Sequence, residues 1–178
     1  PETFARFGNT PFAVIRAATA GGLFAVHERL PARLEPLLLA GSAVPVDKDL
    51  LARLAANPGP RAMAQLVQAA REAPCLAIAG EPSPGELMAG LFSCLPPPCR
   101  TEFSLTTGLK FSSRRPFRLV ALSGDPAGRR WLAHQPNVHI LDLSHEASHE
   151  NTPLDGWAQL VGRVLAPGRT SYLATQLS

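Results

Sequence analysis

Apolar residues recur at helical spacing through residues 10–73. Leu50, Leu51 and Leu54 share one helix face, and Asp47 precedes them at the position of an N-cap. Prolines, which cannot donate a backbone hydrogen bond, stand where such segments begin or end. The pattern predicts helical segments over 10–30 (divided at Gly21 and Gly22), 31–41, 46–59 and 60–73.

The period changes at residue 75, where the short apolar run CLAIAG is typical of a buried strand that ends in glycine. Ser83, Pro84 and Glu86 then form the capping-box pattern of a helix start. Further apolar runs predict three more strands and three more helices. The predicted strands are 75–80, 101–107, 116–124 and 137–143, and the predicted helices of this half are 81–95, 125–135, 153–166 and 168–178.

The order of these elements predicts an α/β fold with a small mixed sheet of about four strands, flanked by helices, and a helical N-terminal portion. The second and third strands are separated by a connection too short for a helical crossover, so we expect them to pair antiparallel. The helical portion 1–73 is expected to pack on the same domain as the α/β portion 74–178. The first residue is Pro1 rather than Met, which we interpret as one domain of a larger protein.

Composition is that of a globular protein, with 46% hydrophobic and 17% charged residues. The longest apolar stretch, 12–26, is interrupted by Arg16 and is too short to span a membrane. Cys75, Cys94 and Cys99 are odd in number and lack a C-x-x-C spacing, so neither a disulfide framework nor a cysteine zinc site is expected. We expect a cytoplasmic setting, no cofactor and no membrane contact.

Positive charge is concentrated between residues 100 and 130, where seven Lys or Arg residues face two carboxylates and the net charge is +5. Lys110, Arg114 and Arg115 lie in the predicted loop 108–116 and are the candidate binding surface. With the aromatic residues nearby, this segment would suit a nucleic acid or another polyanion. An acidic protein partner is the interpretation we favour, and nucleic acid is the weaker alternative.

The sequence His145-Glu146-Ala147-Ser148-His149 matches the letters H-E-x-x-H of zinc peptidases. That motif works on a helix, where both histidines face one metal ion and the glutamate polarises the bound water. Here the match directly follows a predicted strand, and Pro153 limits any helix to about two turns. We expect a solvated polar loop, with a metal site at His145, Glu146 and His149 as the alternative.

Carboxylates stand near the predicted carboxyl ends of three strands, at Glu81, Asp125 and Asp142. Ligands of α/β sheets bind at this edge, and the three side chains could bind magnesium or act as acid and base. The alternative function is therefore a hydrolase or nucleotide-binding enzyme. The segment GEPSPGE (80–86) lacks the lysine and the spacing of a phosphate-binding loop, which weakens that alternative.

The segment CLPPPCRTEFSLTTGLKFSSRRPFRLVAL (94–122), together with the preceding CLAIAGEPSPGELMAGLF, resembles a domain of bacterial GTPase-associated proteins. These are large multidomain proteins, frequent in planctomycetes, whose genes neighbour small GTPases. The resemblance covers about residues 74–143 and implies a non-catalytic scaffold module, with no catalytic residues to carry over. A small GTPase, or another domain of the same polypeptide, would be the partner. The leading prediction is accordingly a non-catalytic binding module of a larger cytoplasmic bacterial protein, acting through protein–protein contacts.

Overall fold

The computed structural model describes residues 2–24, 36, 38–80, 83–108, 112, 114, 117–122, 126–143 and 153–177. Within these residues, helices and strands follow one another in an α/β order. The helices are α1 (Glu2–Arg6), α2 (Pro11–Ala20), α3 (Lys48–Ala56), α4 (Pro60–Glu72), α5 (Pro84–Cys94), α6 (Pro97–Arg100), α7 (Pro126–Ala133), α8 (Gly156–Leu165) and α9 (Thr170–Gln176). The strands are β1 (Cys75–Ala79), β2 (Leu105–Thr106), β3 (Leu119–Ala121) and β4 (Val138–Asp142). The predicted α/β class is confirmed.

The sheet has four strands in the order β2-β3-β1-β4, and every pair of neighbours is parallel. The predicted antiparallel pairing of the second and third strands is therefore wrong, and the sheet is not mixed. The prediction made β2 and β3 too long: it placed the end of β2 at residue 107 and the start of β3 at residue 116, whereas β2 ends at Thr106 and β3 begins only at Leu119. The connection between Thr106 and Leu119 thus reaches the dozen residues that a parallel crossover needs.

Side-chain caps fix the starts of three helices, and two of these caps, Asp47 and Ser83, lie where the sequence predicted them. Asp47 accepts a hydrogen bond from the Leu50 amide of α3 at 3.0 Å, and Ser83 accepts one from the Glu86 amide of α5 at 3.2 Å. Asp155 does the same for Ala158 of α8. Such a cap contributes about 1 kcal/mol by satisfying an amide that has no partner within the helix.

The predicted helix 31–41 is not seen in its described part, since residues 38–40 are not helical. The rest of that segment, apart from residue 36, lies outside the described residues. None of the described helices combines the length and the apolar character that crossing a membrane requires.

The core lies between the sheet and helices α3, α4, α5 and α8. Leu76 and Ile78 of the central strand β1 are fully buried, as are Met63, Leu66 and Val67 on the inner face of α4. Full burial of each such side chain contributes about 2 kcal/mol. On the opposite side of β1, Ala77 is also without solvent exposure, so β1 is shielded on both faces.

Helices α3 and α5 approach each other closely at Gly90. A Cβ atom at this position would lie 2.1 Å from Cδ1 of Leu54 and 3.2 Å from Cε of Met63. Leu54 and Met63 are both fully buried, so neither side chain can withdraw into solvent. Glycine is required here by the space available, although it is a poor helix former.

We expect Gly90→Ala to lower the free energy of unfolding by about 1–3 kcal/mol, because the added methyl group overpacks the core. Gly85→Ala is the matched control on the same helix, where a Cβ would meet only Ser83 Oγ at 3.9 Å. That control should be neutral or stabilising by up to about 1 kcal/mol. Urea unfolding measures both changes, and equal stability of the two variants would show that α3 and α5 are not in close contact.

A buried arginine connects three separate segments of the chain. Arg100 is 1% exposed, and its Nε donates a hydrogen bond to the Leu95 carbonyl at 2.9 Å. Its Nη1 donates to the carbonyls of Gly8 at 2.7 Å and Pro45 at 2.8 Å. Nη2 has no hydrogen-bond partner among the described residues. Burial lowers the pKa of Arg100 to about 10, so the guanidinium keeps its charge at neutral pH.

Gly8 is adapted to this contact in two ways. Its backbone has a φ of +64°, and an added Cβ would lie 2.9 Å from Cα of Pro45 and 3.5 Å from Nη1 of Arg100. Glycine therefore permits both the left-handed backbone and the close approach of the arginine.

We expect Arg100→Ala to lower the free energy of unfolding by about 3 kcal/mol, because three carbonyls lose their donor and a cavity is left. Arg163, exposed on α8, is the control, and Arg163→Ala should change stability by no more than about 0.5 kcal/mol. Chemical denaturation followed by circular dichroism checks both. A loss below about 1 kcal/mol for Arg100→Ala would contradict the role given to the guanidinium.

Candidate functional site

A groove of about 700 Å³ lies beside strand β4. We call it the β4 groove. One wall is α4 and the other is β4 with its preceding turn, and Leu154 closes one end. Its lining residues are Gln65, Gln68, Ala69, Glu72, Ala73, Pro74, Pro136, Asn137, Val138, His139, Ile140, Leu141, Asp142 and Leu154.

The helical wall is held in place by Gln68. Its Nε2 donates hydrogen bonds to Oε1 of Glu72 at 3.0 Å and to the Pro153 carbonyl at 3.2 Å. Its Oε1 accepts a hydrogen bond from the Asp155 amide at 3.0 Å. Asp155 also forms an ion pair with Arg71. This network fixes the start of α8 against α4, so the wall of the groove is pre-formed.

The other wall is an edge strand. β4 pairs with β1 on one side, and no strand among the described residues pairs with its other side. The amide of Leu143 donates to the Ala79 carbonyl at 2.9 Å, which sets the direction of the alternating backbone groups. His139 and Leu141 therefore direct their backbone groups toward β1, and Val138 and Ile140 direct theirs away from the sheet.

The carboxylate cluster predicted at the carboxyl edge of the sheet is described only at Asp142. This side chain is 20% exposed and forms an ion pair with Arg129 of α7. Glu81 and Asp125 lie outside the described residues. Asp142 in its described surroundings is thus a partly buried ion-paired residue that connects β4 to α7.

The H-E-x-x-H segment, with His145, Glu146 and His149, also lies outside the described residues. Within the described part of the chain, no group of three His, Cys, Asp or Glu side chains is arranged to hold a metal ion. The prediction of a polar loop at this segment stays a prediction.

In segment 100–130, fewer basic side chains are available to a partner than the composition suggests. Arg100 is buried, and Arg118 lies over the ring of Phe103 with its Cζ 4.4 Å from the centroid and forms an ion pair with Glu102 at 3.6 Å. Of the predicted binding surface, Arg114 is described and exposed, and Lys110 and Arg115 lie outside the described residues.

A second, shallower cleft of about 490 Å³ lies between α2, α3 and α5. Its two arginines are each near a carboxylate: Arg16 is 3.5 Å from Asp47, and Arg53 is 3.8 Å from Glu86. The two charge pairs cancel, so this cleft has no electrostatic preference for an anion.

Sequence reasoning did not identify the β4 groove. A signal was present, because His139 and Asp142 interrupt an otherwise apolar strand, as is expected where one side of a strand meets water. The groove forms only because α4 lies beside β4. These two elements are distant in sequence, so no local sequence pattern predicts that they are neighbours.

Two of the three cysteine thiols are buried and have a raised pKa. Burial raises the pKa of Cys94 to about 12, against a smaller opposite effect of the Arg100 charge, and it also raises the pKa of Cys75. Cys99 is exposed. Because the thiolate is the reactive form, a pKa near 12 leaves roughly one Cys94 in ten thousand ionised at pH 8.

We expect a thiol reagent at pH 8 to modify one cysteine rapidly in the folded protein and all three after unfolding. Cys99→Ser should abolish the rapid reaction and leave the slow ones unchanged. Mass spectrometry of the labelled protein distinguishes the sites. Rapid native labelling of Cys94 would contradict its burial.

Comparisons with protein-family models, with curated proteins and with solved structures find no match for this chain. The resemblance of residues 74–143 to GTPase-associated proteins therefore stays a prediction.

Proposed function

We propose that this chain is a non-catalytic protein-binding module whose contact site is the β4 groove. The observation that carries the proposal is the outer edge of β4, with which no described strand pairs, at the side of a pre-formed groove. Backbone groups at a sheet edge are a template for another chain, and a groove beside them supplies side-chain pockets.

The lining of the groove suits a segment of a protein. Ala69, Ala73, Leu141 and Leu154 provide apolar surface, while Gln68 and Glu72 supply polar atoms at one wall. An apolar surface with a few placed polar groups is the usual composition of a binding site. The groove volume of about 700 Å³ falls within the range of known ligand sites.

The enzyme alternative receives less support from the described residues. Of its three carboxylates only Asp142 is described, and the carboxylate is paired with Arg129. The ion pair gives this carboxylate a structural role between β4 and α7.

The partner that we propose is a protein in the cytoplasm, either a small GTPase or another domain of the same polypeptide. This part of the proposal depends on the resemblance of residues 74–143 to bacterial GTPase-associated proteins. The exposed Arg114, with Lys110 and Arg115, would form a second contact with an acidic region of that partner.

We expect peptides selected from a random displayed library on this chain to require the β4 groove. His139 is exposed on β4, so His139→Trp fills the groove with a side chain that strands accept. This variant should weaken the selected peptides by about tenfold or more. Fluorescence anisotropy measures the affinities.

His134→Trp is the matched control, because His134 is exposed near the end of α7 and does not line the groove. It should leave the affinities unchanged. Equal affinity of the selected peptides for the two variants would contradict the proposed site, and a failure to select any peptide would contradict the proposed function.

A further inference from the structure

We infer that the β4 groove binds its partner as an added strand: an extended segment of another protein that pairs with β4 and places a basic side chain at Glu72. This inference rests on the proposed function and specifies the chemistry of its partner. It follows from the backbone direction of β4 and from the charge of the groove.

The backbone of β4 leaves its central residue available for pairing. The Leu143 amide donates to the Ala79 carbonyl. Because backbone groups alternate along a parallel strand, the amides and carbonyls of His139 and Leu141 point toward β1. Ile140 lies between them and directs its amide and carbonyl away from the sheet. The Val138 amide is already used, since it donates to the Gln135 carbonyl at 3.2 Å, but the Val138 carbonyl faces the same open side as Ile140.

An extended segment uses these groups, whereas a helix does not. The amides and carbonyls of a helix are satisfied within the helix, so a docked helix would leave the backbone groups of Ile140 without partners from the ligand. A strand placed beside β4 bonds to Ile140 directly and sends alternate side chains toward the groove. β4 is five residues long, which gives room for a segment of roughly 17 Å.

The charge of the groove selects a basic segment. Among the described lining residues, Glu72 and Asp142 are the charged ones, and none is Lys or Arg. Asp142 is offset by Arg129, whereas Glu72 accepts a hydrogen bond from the neutral Gln68 and forms no ion pair among the described residues. A lysine or arginine of the added strand would complement that carboxylate.

The test uses short synthetic peptides in place of the unidentified partner. One peptide alternates lysine with valine, and its control alternates glutamate with valine. The lysine peptide should bind about tenfold or more tightly, with an affinity that falls as salt is added. Two further peptides are N-methylated at every lysine or at every valine, so each lacks the donors of one strand edge, and the one whose blocked edge faces β4 should not bind.

Two readouts on the whole chain report the mode of binding. Hydrogen exchange followed by NMR should show the Ile140 amide unprotected in the free protein and protected in the complex, with the Leu141 amide protected in both. Glu72→Gln should abolish the preference for lysine, and Glu72→Lys should reverse it. Glu86→Gln, a matched change in the other cleft, should leave the preference intact.

Each outcome decides a different part of the inference. If displayed peptides bind in the groove but the Ile140 amide stays unprotected, strand addition is wrong and the binding module stands. Equal affinity for the two charged peptides would show that the added strand need not carry a basic side chain. Protection of Ile140 in the free protein that rises with protein concentration would identify a second copy of the chain as the occupant instead. If neither the synthetic nor the displayed peptides bind, the inference and the proposed function fail together.

Discussion

Strand β1 is hydrogen-bonded on both sides, to β3 and to β4, and its side chains are shielded from water on both faces. A strand in this position can carry only apolar residues, which is why CLAIA contains no polar side chain other than its thiol. Because both neighbours of β1 run parallel to it, the connections between strands must cross over the sheet, and helices make most of these connections. In the described sheet β2 and β4 are left at the two edges. The groove lies at the β4 edge because α4 packs beside that strand.

Arg100 is one of the contacts that hold the turn after α1 and the residues before α3 to the end of α5. A charged side chain is costly to remove from water, and here the guanidinium is compensated by carbonyl dipoles rather than by a carboxylate. Carbonyls suit the planar fork of donors, because one side chain can bind several backbone segments at once. The turn after α1, the residues before α3 and the end of α5 meet at this one residue. The helical N-terminal segment is thus connected to the end of α5 by polar contacts as well as by apolar packing.

Much of this arrangement could be predicted from the sequence where the determining signal is local. The caps at Asp47 and Ser83 and the apolar face of α4 depend on residues within a few positions of one another, and these helices were predicted correctly. The direction of β2 relative to β3 could not be predicted in the same way, since it depends on how many residues separate the end of β2 from the start of β3. The burial of Arg100 was not predicted either, because arginine is ordinarily exposed and two of its three carbonyl partners, Gly8 and Pro45, are distant in sequence. The groove was missed for the same reason, and most of the predicted site residues lie outside the described part of the chain.

Gly90 has a consequence for how this fold can change over evolutionary time. The space that a methyl group would need at position 90 is occupied by Leu54, and Leu54 is enclosed on all sides. A larger residue at 90 becomes acceptable only when the residue at 54 becomes smaller, so the two positions constrain each other although they lie on different helices. Substitution at either site alone moves the chain toward lower stability, and the pair must pass through such an intermediate unless a compensating change comes first. Positions 54 and 90 are therefore expected to change together, because both depend on the distance between α3 and α5.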